Sequence, residues 1–247
     1  MKIVVIGGTG LIGRKLVKNL GDRGHEATPV SPSTGVDILT GAGLAPALES
    51  AEVVVDVTNS PSFEDSAVMS FFQTAARHLL PAEAAAGVRH HVALSVVGAD
   101  RLPTSGYMRA KVAQEAAITS AGIPYTIVRA TQFCEFVGAI ADSATKGDTA
   151  RLPSASIQPI ASDDVAAELA AIAVESPVNG IVELGGPELF PMDELVRHFF
   201  SAKSDARRVV SDPEATYFGA RLAERSLVAG ERARLGKTRF VEWLRRA

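Results

Sequence analysis

The sequence is poor in the residues that several protein classes require. Its 247 residues include one cysteine, Cys134, which excludes a disulfide within the chain and a zinc site built from several cysteines. No apolar run approaches the roughly 18 residues of a membrane span. The first strand-like residues run directly into glycines, without the apolar region and cleavage site of a signal peptide. We therefore expect a soluble, cytoplasmic protein.

Positive charge is not in excess either. The chain has 25 Lys and Arg against 28 Asp and Glu, a net charge of −3. We therefore expect a small-molecule substrate, with no nucleic-acid partner and no membrane partner. Apolar residues make up 47% of the chain and charged residues 21%, which is typical of a globular domain and excludes wholesale disorder. The expected quaternary state is a monomer or a homodimer.

What the sequence does contain is an alternation of short β-branched runs with segments of helical period. The runs predict strands at 3–6, 53–57, 91–94, 125–128 and 181–184, with weaker ones at 26–30 and around Val36. The periodic segments predict helices at 11–20, 66–86, 106–121, 163–174, 192–200 and 239–246, the second kinked or broken at Pro81.

This alternation predicts a Rossmann-like α/β fold, in which a doubly wound parallel sheet is covered by helices on both faces. We expect a single domain over residues 1–247. Its nucleotide-binding core would occupy about 1–150, and a small, partly helical substrate lobe about 151–247.

A Gly-x-x-Gly-x-x-Gly sequence follows the first predicted strand and opens the first predicted helix. Glycines at this spacing permit a tight turn, close approach of the backbone to a pyrophosphate, and close packing of helix on strand. The N–H groups at the helix start then face the anion. The cofactor-binding residues predicted here are Gly7, Thr9, Gly10, Leu11, Ile12 and Gly13.

The second predicted strand ends without a carboxylate. In dinucleotide-binding folds an acidic residue here holds the adenosine ribose of NAD. This chain has Ser31, Ser33 and Thr34 instead, whose hydroxyls are able to donate to a 2′-phosphate, although no Arg or Lys is present to neutralise it. The pattern favours NADP(H) over NAD(H), with Ser31 and Ser33 at the cofactor. An ordinary polar turn is the alternative.

Tyr107 and Lys111 stand four residues apart in a predicted helix and so share one of its faces. A free phenol, with a pKa of about 10, exchanges protons poorly at neutral pH. A neighbouring ammonium is expected to lower that pKa and suit the phenol to general acid catalysis. Ser95 ends a strand, where it would orient a substrate carbonyl. These three are the predicted catalytic residues, and an exposed Lys111–Glu115 helix pair is the alternative.

No metal site is expected. His90 and His91 are adjacent on a predicted strand and so point to opposite faces, where they do not chelate one ion. Cys134 has no histidine near it in sequence and is expected to be a buried structural residue.

Together these motifs resemble the atypical short-chain dehydrogenase/reductases, and more closely their NAD(P)H-binding or NmrA-like branch. The resemblance covers about the first 135 residues and rests on the glycine sequence, 56–59, Ser95, Tyr107 with Lys111, and 125–133. It implies that Lys111 hydrogen-bonds the nicotinamide ribose. It also implies cofactor contacts at Thr58, Asn59, Ser60, Ala130 and Thr131.

The function that the resemblance implies is NADP(H)-dependent oxidoreduction of a small carbonyl, quinone or alcohol. Many NmrA-like proteins lack the tyrosine and bind cofactor without demonstrated turnover, so the presence of Tyr107 favours an enzyme. Two alternatives stay open: a non-catalytic NADP(H) sensor that regulates a partner, and a sugar-type epimerase or isomerase. The segment 217–219 belongs to a tail that looks like a lineage-specific substrate lobe.

Overall fold

The computed structural model describes residues 1–246. Numbered along the chain, its strands are β1 (Lys2–Ile6), β2 (Glu26–Val30), β3 (Val53–Asp56), β4 (His90–Val96), β5 (Tyr125–Ala130), β6 (Thr145–Lys146), β7 (Thr149–Leu152), β8 (Ser156–Ile157), β9 (Gly180–Gly185), β10 (Phe190–Pro191), β11 (Arg208–Ser211) and β12 (Arg234–Leu235). Its α-helices are α1 (Leu11–Asp22), α2 (Leu44–Leu48), α3 (Asp65–Ala86), α4 (Gly106–Ser120), α5 (Val137–Ser143), α6 (Ser162–Ile172), α7 (Met192–Ala202) and α8 (Phe240–Leu244).

Seven strands form one parallel sheet in the order β12-β9-β5-β4-β3-β1-β2. Its central strands are apolar on both faces because helices cover both faces. On one face α1 and α6 pack through Leu16 and Leu169 against Val5. On the other, α2, α3 and α4 pack around Val4 and Leu79. No helix within residues 1–246 is both long and apolar enough to cross a membrane.

The predicted Rossmann-like fold is confirmed. One local expectation is wrong, because residues around Val36 form no strand. Of the kink or break expected at Pro81, the break is absent, since α3 runs through that residue without interruption. Proline removes one backbone hydrogen bond from a helix interior and crowds the preceding turn. Buried residues on either side of Pro81, such as Leu80 and Glu83, keep α3 against the sheet despite that cost.

The last third of the chain contributes to the sheet as well as to a separate lobe. β9 and β12 extend the sheet beyond β5. The lobe consists of α5, α7 and α8 with two small sheets, and it packs around Leu152, Leu195, Phe200 and Phe240. The sheet therefore continues past residue 150, and the proposed division of the chain near that point stays a prediction.

The strand order reverses at β1, which has β2 on one side and β3 on the other. In open α/β sheets, ligands bind in the crevice outside the carboxyl ends of the strands at such a switch point. The segments that follow β1, β2, β3, β4 and β5 all lie at this edge. These segments, the last residues of β4 and β5 and the start of α1 carry the predicted site residues, apart from those on α4.

Candidate active site

The glycine turn, residues 7–13, lies at one end of the crevice and follows β1. Gly7 has φ +80°, and its N–H bonds the Val30 carbonyl at 2.8 Å. A Cβ on Gly13 would lie 2.2 Å from the Gly7 carbonyl oxygen, so Gly13 is required for packing of the turn. Gly10 differs, because it is exposed and its Cβ would meet only that same oxygen, at 3.3 Å. The space that Gly10 leaves free therefore lies on the open side of the turn.

The start of α1 presents unpaired N–H groups beside this space. The helix begins after Gly10, and within the described chain no side chain caps it. The first N–H groups of a helix lack intrahelical partners and favour an anion. Thr9 and Leu11 are exposed here, whereas Ile12 is buried. The structure thus brings the predicted residues of the glycine turn into one cradle, and their contacts with a cofactor stay predictions.

The segment after β2 is a short 3₁₀ turn. Thr34 Oγ accepts from the Ser31 N–H at 2.9 Å and donates to the Ser31 carbonyl at 2.9 Å, so it is engaged within the turn. The Ser31 and Ser33 hydroxyls lie 2.8 Å apart and bond each other. Ser31 is buried and forms a capping box with Thr34, whereas Ser33 is exposed, and the predicted contacts of both serines with a cofactor stay predictions.

The loop after β3 is held in shape by its own side chains. The Asp56 carboxylate accepts from the Thr58 N–H at 2.9 Å and from the Thr58 hydroxyl at 2.7 Å. The Asn59 side chain accepts from the Ser60 N–H at 3.0 Å. Asn59 is exposed and Ser60 is buried. We call residues 56–60 the cofactor loop, because Thr58, Asn59 and Ser60 are the predicted cofactor contacts there, and these internal bonds hold its shape at the edge of the crevice.

Lys111 lies inside the protein, on the face of α4 that packs against α3 and β4. It is 2% exposed, and its ammonium donates to the Leu94 carbonyl at 2.9 Å and to the Gln114 side chain. It also lies 4.3 Å from the ring centroid of Phe72. Burial lowers the pKa of Lys111 to about 8, although Asp56 opposes this shift. The alternative of an exposed Lys111–Glu115 pair is therefore wrong.

Ser95 points toward α4. Its hydroxyl donates to Glu115 at 2.6 Å, and Glu115 in turn accepts two hydrogen bonds from Arg129, at 2.9 and 2.7 Å. All three side chains are buried. For Ser95 to orient a substrate oxygen, its proton has to turn away from Glu115, and that role stays a prediction.

Tyr107 lies one turn before Lys111 and packs beside aromatic rings. Its ring centroid is 5.6 Å from Phe63 and 6.4 Å from Phe72. Burial raises the pKa of Tyr107 to about 12. The expectation that Lys111 lowers this pKa is therefore wrong, because the lysine is held by Leu94 and Gln114 while burial dominates at the phenol.

The end of β5 carries buried polar groups that fit a bound ligand. Thr131 is 1% exposed and Gln132 7% exposed. Neither the Thr131 hydroxyl nor the Gln132 amide has a hydrogen-bond partner within residues 1–246. Buried polar groups are normally paired, since leaving one unpaired costs about 1–3 kcal/mol. These unpaired atoms lie beside the buried Ala130. Together with the glycine cradle they suit a nicotinamide dinucleotide, which has a polar pyrophosphate and a polar nicotinamide amide.

Four aromatic residues form a rim, which we call the aromatic rim: Phe63, Tyr107, Tyr217 and Phe218. Tyr217 and Phe218 have ring centroids 4.8 Å apart, and Phe218 has φ +46°, an unusual backbone conformation for a bulky residue. Burial, and then the nearby Tyr107 phenol, raise the pKa of Tyr217. The Gln132 amide approaches the Tyr217 hydroxyl without meeting hydrogen-bond geometry. The rim thus extends from α4 to the C-terminal lobe.

Sequence reasoning missed Gln114, Gln132 and Phe63. Gln132 had a signal available, because it is a polar residue directly after a strand that ends at the crevice. Gln114 is three residues after Lys111, and this spacing places it on the same helix face. Nothing in the sequence around Phe63 indicates that this ring lies against Tyr107, since the contact crosses from the β3–α3 loop to α4.

The chain is similar in sequence to curated proteins over about half of its length. The chain is 32% identical over 145 residues to the (4-alkanoyl-5-oxo-2,5-dihydrofuran-3-yl)methyl phosphate reductase of Streptomyces griseus, covering 53% of this chain and 48% of that protein. The chain spans about half the length of the curated relatives it matches.

Two solved structures share the fold at low identity. An NADPH-dependent quinone oxidoreductase of Escherichia coli, complexed with NADPH, has a TM-score of 0.67 at 21% identity over 85% of this chain and 77% of that one. A UDP-glucose 4-epimerase of Thermus thermophilus, complexed with NAD, has a TM-score of 0.70 at 19% identity over 86% of both chains. The sequence profile of the family described as NAD(P)H-binding matches residues 7–176. The chain therefore belongs to this NAD(P)H-binding family.

Proposed function

We propose that the protein is an NADP(H)-dependent oxidoreductase that acts on a small carbonyl, quinone or alcohol. The observation that carries this proposal is the placement of the Tyr107 phenol. It lies on the aromatic rim, near Tyr217 and one helical turn from the buried Lys111. A half-buried phenol beside a buried lysine supports proton transfer to a bound substrate.

Each residue has a distinct task in this proposal. When bound, the reduced nicotinamide is a two-electron reductant of carbonyl and quinone groups. Lys111 donates to Leu94 and Gln114 and lies over the Phe72 ring, so a bond to a ribose hydroxyl requires its third N–H to turn from that ring toward the ligand. Thr131 and Gln132 supply unpaired polar groups beside the reacting end.

Tyr107 supplies the proton. A phenol whose pKa is raised to about 12 stays protonated at neutral pH. Such a phenol is a weak acid toward water, but it donates readily to the oxygen of a carbonyl that is gaining negative charge. Reduction of the carbonyl carbon therefore draws the proton from Tyr107 to the substrate oxygen. The phenol then recovers a proton from solvent.

The aromatic rim favours a flat, apolar carbonyl such as a quinone over a sugar. Phe63 and Phe218 are 67% and 54% exposed, so two large rings face solvent beside Tyr107 and Tyr217. Exposed aromatic rings next to a polar crevice are typical of a ligand site. The missing carboxylate after β2, with the Ser31–Ser33 hydroxyl pair in its place, supports NADPH over NADH.

The test is steady-state oxidation of NADPH and NADH with a panel of quinones, aldehydes and ketones. For Tyr107→Phe we expect turnover to fall by about 10²–10⁴ while NADPH affinity stays within a few fold, since only the hydroxyl is lost. Tyr125→Phe is the matched control, because Tyr125 begins β5 at the opposite edge of the sheet. Its activity should equal that of the wild type.

Three results would contradict this proposal. Full activity in Tyr107→Phe would exclude the phenol as proton donor. Tight NADPH binding with no oxidation across the panel would favour the sensor, and interconversion of sugar nucleotides would favour the epimerase. Equal affinity for NADH and NADPH would remove the assigned cofactor preference.

A further inference from the structure

Lys111 is a buried cation held by neutral groups. Within residues 1–246 no carboxylate contacts its ammonium directly, and its partners are a carbonyl, an amide oxygen and the Phe72 ring. A buried charge normally requires an opposite charge or several hydrogen bonds. The nearest source of negative charge along this network is Asp56, which reaches Lys111 through one intervening side chain.

That intervening side chain is Gln114. Its amide oxygen accepts from the Lys111 ammonium, and its amide nitrogen donates to Asp56 Oδ2 at 2.9 Å. Gln114 is 5% exposed and Asp56 4% exposed, so both bonds are shielded from water. The amide dipole therefore has its negative end on the cation and its positive end on the carboxylate. Both interactions are stronger in a buried setting than in water.

The second oxygen of Asp56 is used in the cofactor loop. Asp56 Oδ1 accepts from both the N–H and the hydroxyl of Thr58. One carboxylate thus connects the loop after β3 to the lysine on α4. The connection joins segments 58 residues apart in the chain, and no backbone hydrogen bond duplicates it in the described part of the protein.

We propose that Asp56 and Gln114 form a positioning pair, which holds the Lys111 ammonium in place relative to the cofactor loop. In this role neither residue touches the reacting atoms. The pair orients Lys111, which is proposed to meet the nicotinamide ribose. It also fixes the position of Thr58 relative to Lys111. This inference rests on the nucleotide-binding part of the proposed function and is independent of which substrate is reduced.

Other charged groups face the same network from each neighbouring element. A cavity of about 10 Å³, the size of one water, is lined by Asp56, Gln114 and His91 with apolar side chains. His91 bonds Glu83 at 2.8 Å. The titratable groups around Lys111 are Asp56 from β3, His91 from β4, Glu83 from α3, Tyr107 and Glu115 from α4, and Arg129 from β5 through Glu115. Asp56 is distinguished among them by its bond to the amide that holds Lys111.

The test replaces the amide and follows the ionisation of Lys111 directly. In Gln114→Met the side-chain length is kept and both hydrogen bonds are lost. Side-chain NMR of ¹⁵N-lysine protein, with the Lys111 resonance assigned from its loss in Lys111→Met, gives the titration midpoint without cofactor. In the wild type the midpoint should lie near pH 8. In Gln114→Met it should fall by about one unit or more, a tenfold change in acidity.

Cofactor binding gives the second readout. Fluorescence titration of NADPH at pH 9 should show about a tenfold loss of affinity in Gln114→Met, because above the wild-type midpoint a fall of one unit leaves about tenfold less of the lysine protonated. The pH at which binding is lost should move down with the lysine midpoint. Asp56→Asn keeps the size of the side chain and removes its charge. It should shift the midpoint in the same direction, which keeps the test valid if the Gln114 variant folds poorly.

The matched control is Gln158→Met. Gln158 is also buried, and its amide also makes two hydrogen bonds, to the Gly186 carbonyl at 2.8 Å and from the Ala229 N–H at 3.1 Å. This variant should lose stability without moving the Lys111 midpoint. The proposal is overturned if Gln114→Met and Asp56→Asn titrate like the wild type, or if Gln158→Met shifts the midpoint equally. If the wild type fails to bind NADPH, the proposed function fails, whereas the cofactor-free lysine titration still decides on the positioning pair.

Discussion

The two ends of the crevice present different chemical groups: backbone groups at one end and side chains at the other. At the glycine turn the groups predicted to face the cofactor are backbone N–H groups, and Gly10 and Gly13 carry no side chains there. At α4 the group predicted to face it is the side chain of Lys111, which bonds Gln114, and Gln114 in turn bonds Asp56. The first end is formed by residues adjacent in sequence, and the second by residues from three separate elements. Binding at the glycine turn should therefore be lost when side-chain atoms are added there. Binding at the α4 end should depend on each hydrogen bond of a buried network.

The largest effect expected is at the glycine turn. Gly10→Val should fold normally, because Gly10 has φ −78° and ψ −174° and its Cβ meets only one atom, at 3.3 Å. The added side chain fills the space in front of the α1 N–H groups, so NADPH affinity should fall about 100-fold or more, each tenfold being about 1.4 kcal/mol. Calorimetric titration and circular dichroism measure the two properties.

Gly13→Val provides the contrast within the same turn. Its Cβ would lie 2.2 Å from the Gly7 carbonyl oxygen and 2.6 Å from the Gly8 Cα, so this variant should lose fold stability as well as binding. Normal NADPH binding in a folded Gly10→Val protein would place the phosphate site elsewhere. A stable Gly13→Val protein would show that the turn is less closely packed than the structure indicates.

This contrast explains which parts of the protein were predictable from sequence. Strand runs and glycine spacing are local patterns, so β1, α1 and the turn between them were predicted closely. The Asp56–Gln114 bond joins residues far apart in the chain, and its existence depends on how α4 packs against β3. The same holds for Ser95, whose position was predicted but whose bond to Glu115 was not. Side-chain partners across elements require the packing, which sequence period does not supply.

The next effect is on stability and is expected from His90, which lies outside both ends of the crevice. It is 3% exposed, and its Nε2 lies 2.9 Å from the Thr126 hydroxyl. Burial lowers the pKa of His90 from 6.5 to about 4. The unfolded chain therefore takes up a proton that the folded protein resists, and the fold loses stability as pH falls from 6.5 to 4. At about 1.36 kcal/mol per pKa unit, this contributes roughly 3 kcal/mol.

His90→Phe should remove this acid response. Urea unfolding from pH 7 to pH 4 should show a flatter dependence of the unfolding free energy on pH than in the wild type. His91 on the same strand differs: burial opposes its charge, but Glu83 outweighs burial and raises the pKa of His91, so it adds little in this range. Parallel curves for the variant and the wild type would assign the acid response to other groups. With His90 removed, one buried group fewer contributes to the pH dependence of the unfolding free energy, so the contribution of Lys111 on α4 is easier to isolate.

The smallest effect, and the one that separates the two ends most sharply, is on stability at Lys111. Burial lowers the pKa of this lysine from 10.5 to about 8, which corresponds to roughly 3 kcal/mol lost on folding at pH 7. Lys111→Met removes that cost but leaves the Leu94 carbonyl and the Gln114 amide oxygen without the ammonium, at about 1–3 kcal/mol each. The two contributions nearly cancel, so the stability of the variant at pH 7 should lie close to that of the wild type.

The sign of the pH dependence tests this reasoning. Between about pH 8 and 10.5 the unfolded lysine keeps its proton while the folded one loses it, so the wild type gains stability as pH rises through this range. Lys111→Met has no such gain, so its stability relative to the wild type should fall by roughly 3 kcal/mol between pH 8 and pH 10.5. Lys18→Met, at an exposed lysine on α1, should change stability little at any pH. If Lys111→Met is less stable than the wild type at pH 7, the buried charge is held more favourably than its burial implies. If it is more stable and binds NADPH weakly, then Lys111 lowers the stability of the fold while it supports cofactor binding. Gly10→Val, by comparison, should lose NADPH binding with stability unchanged.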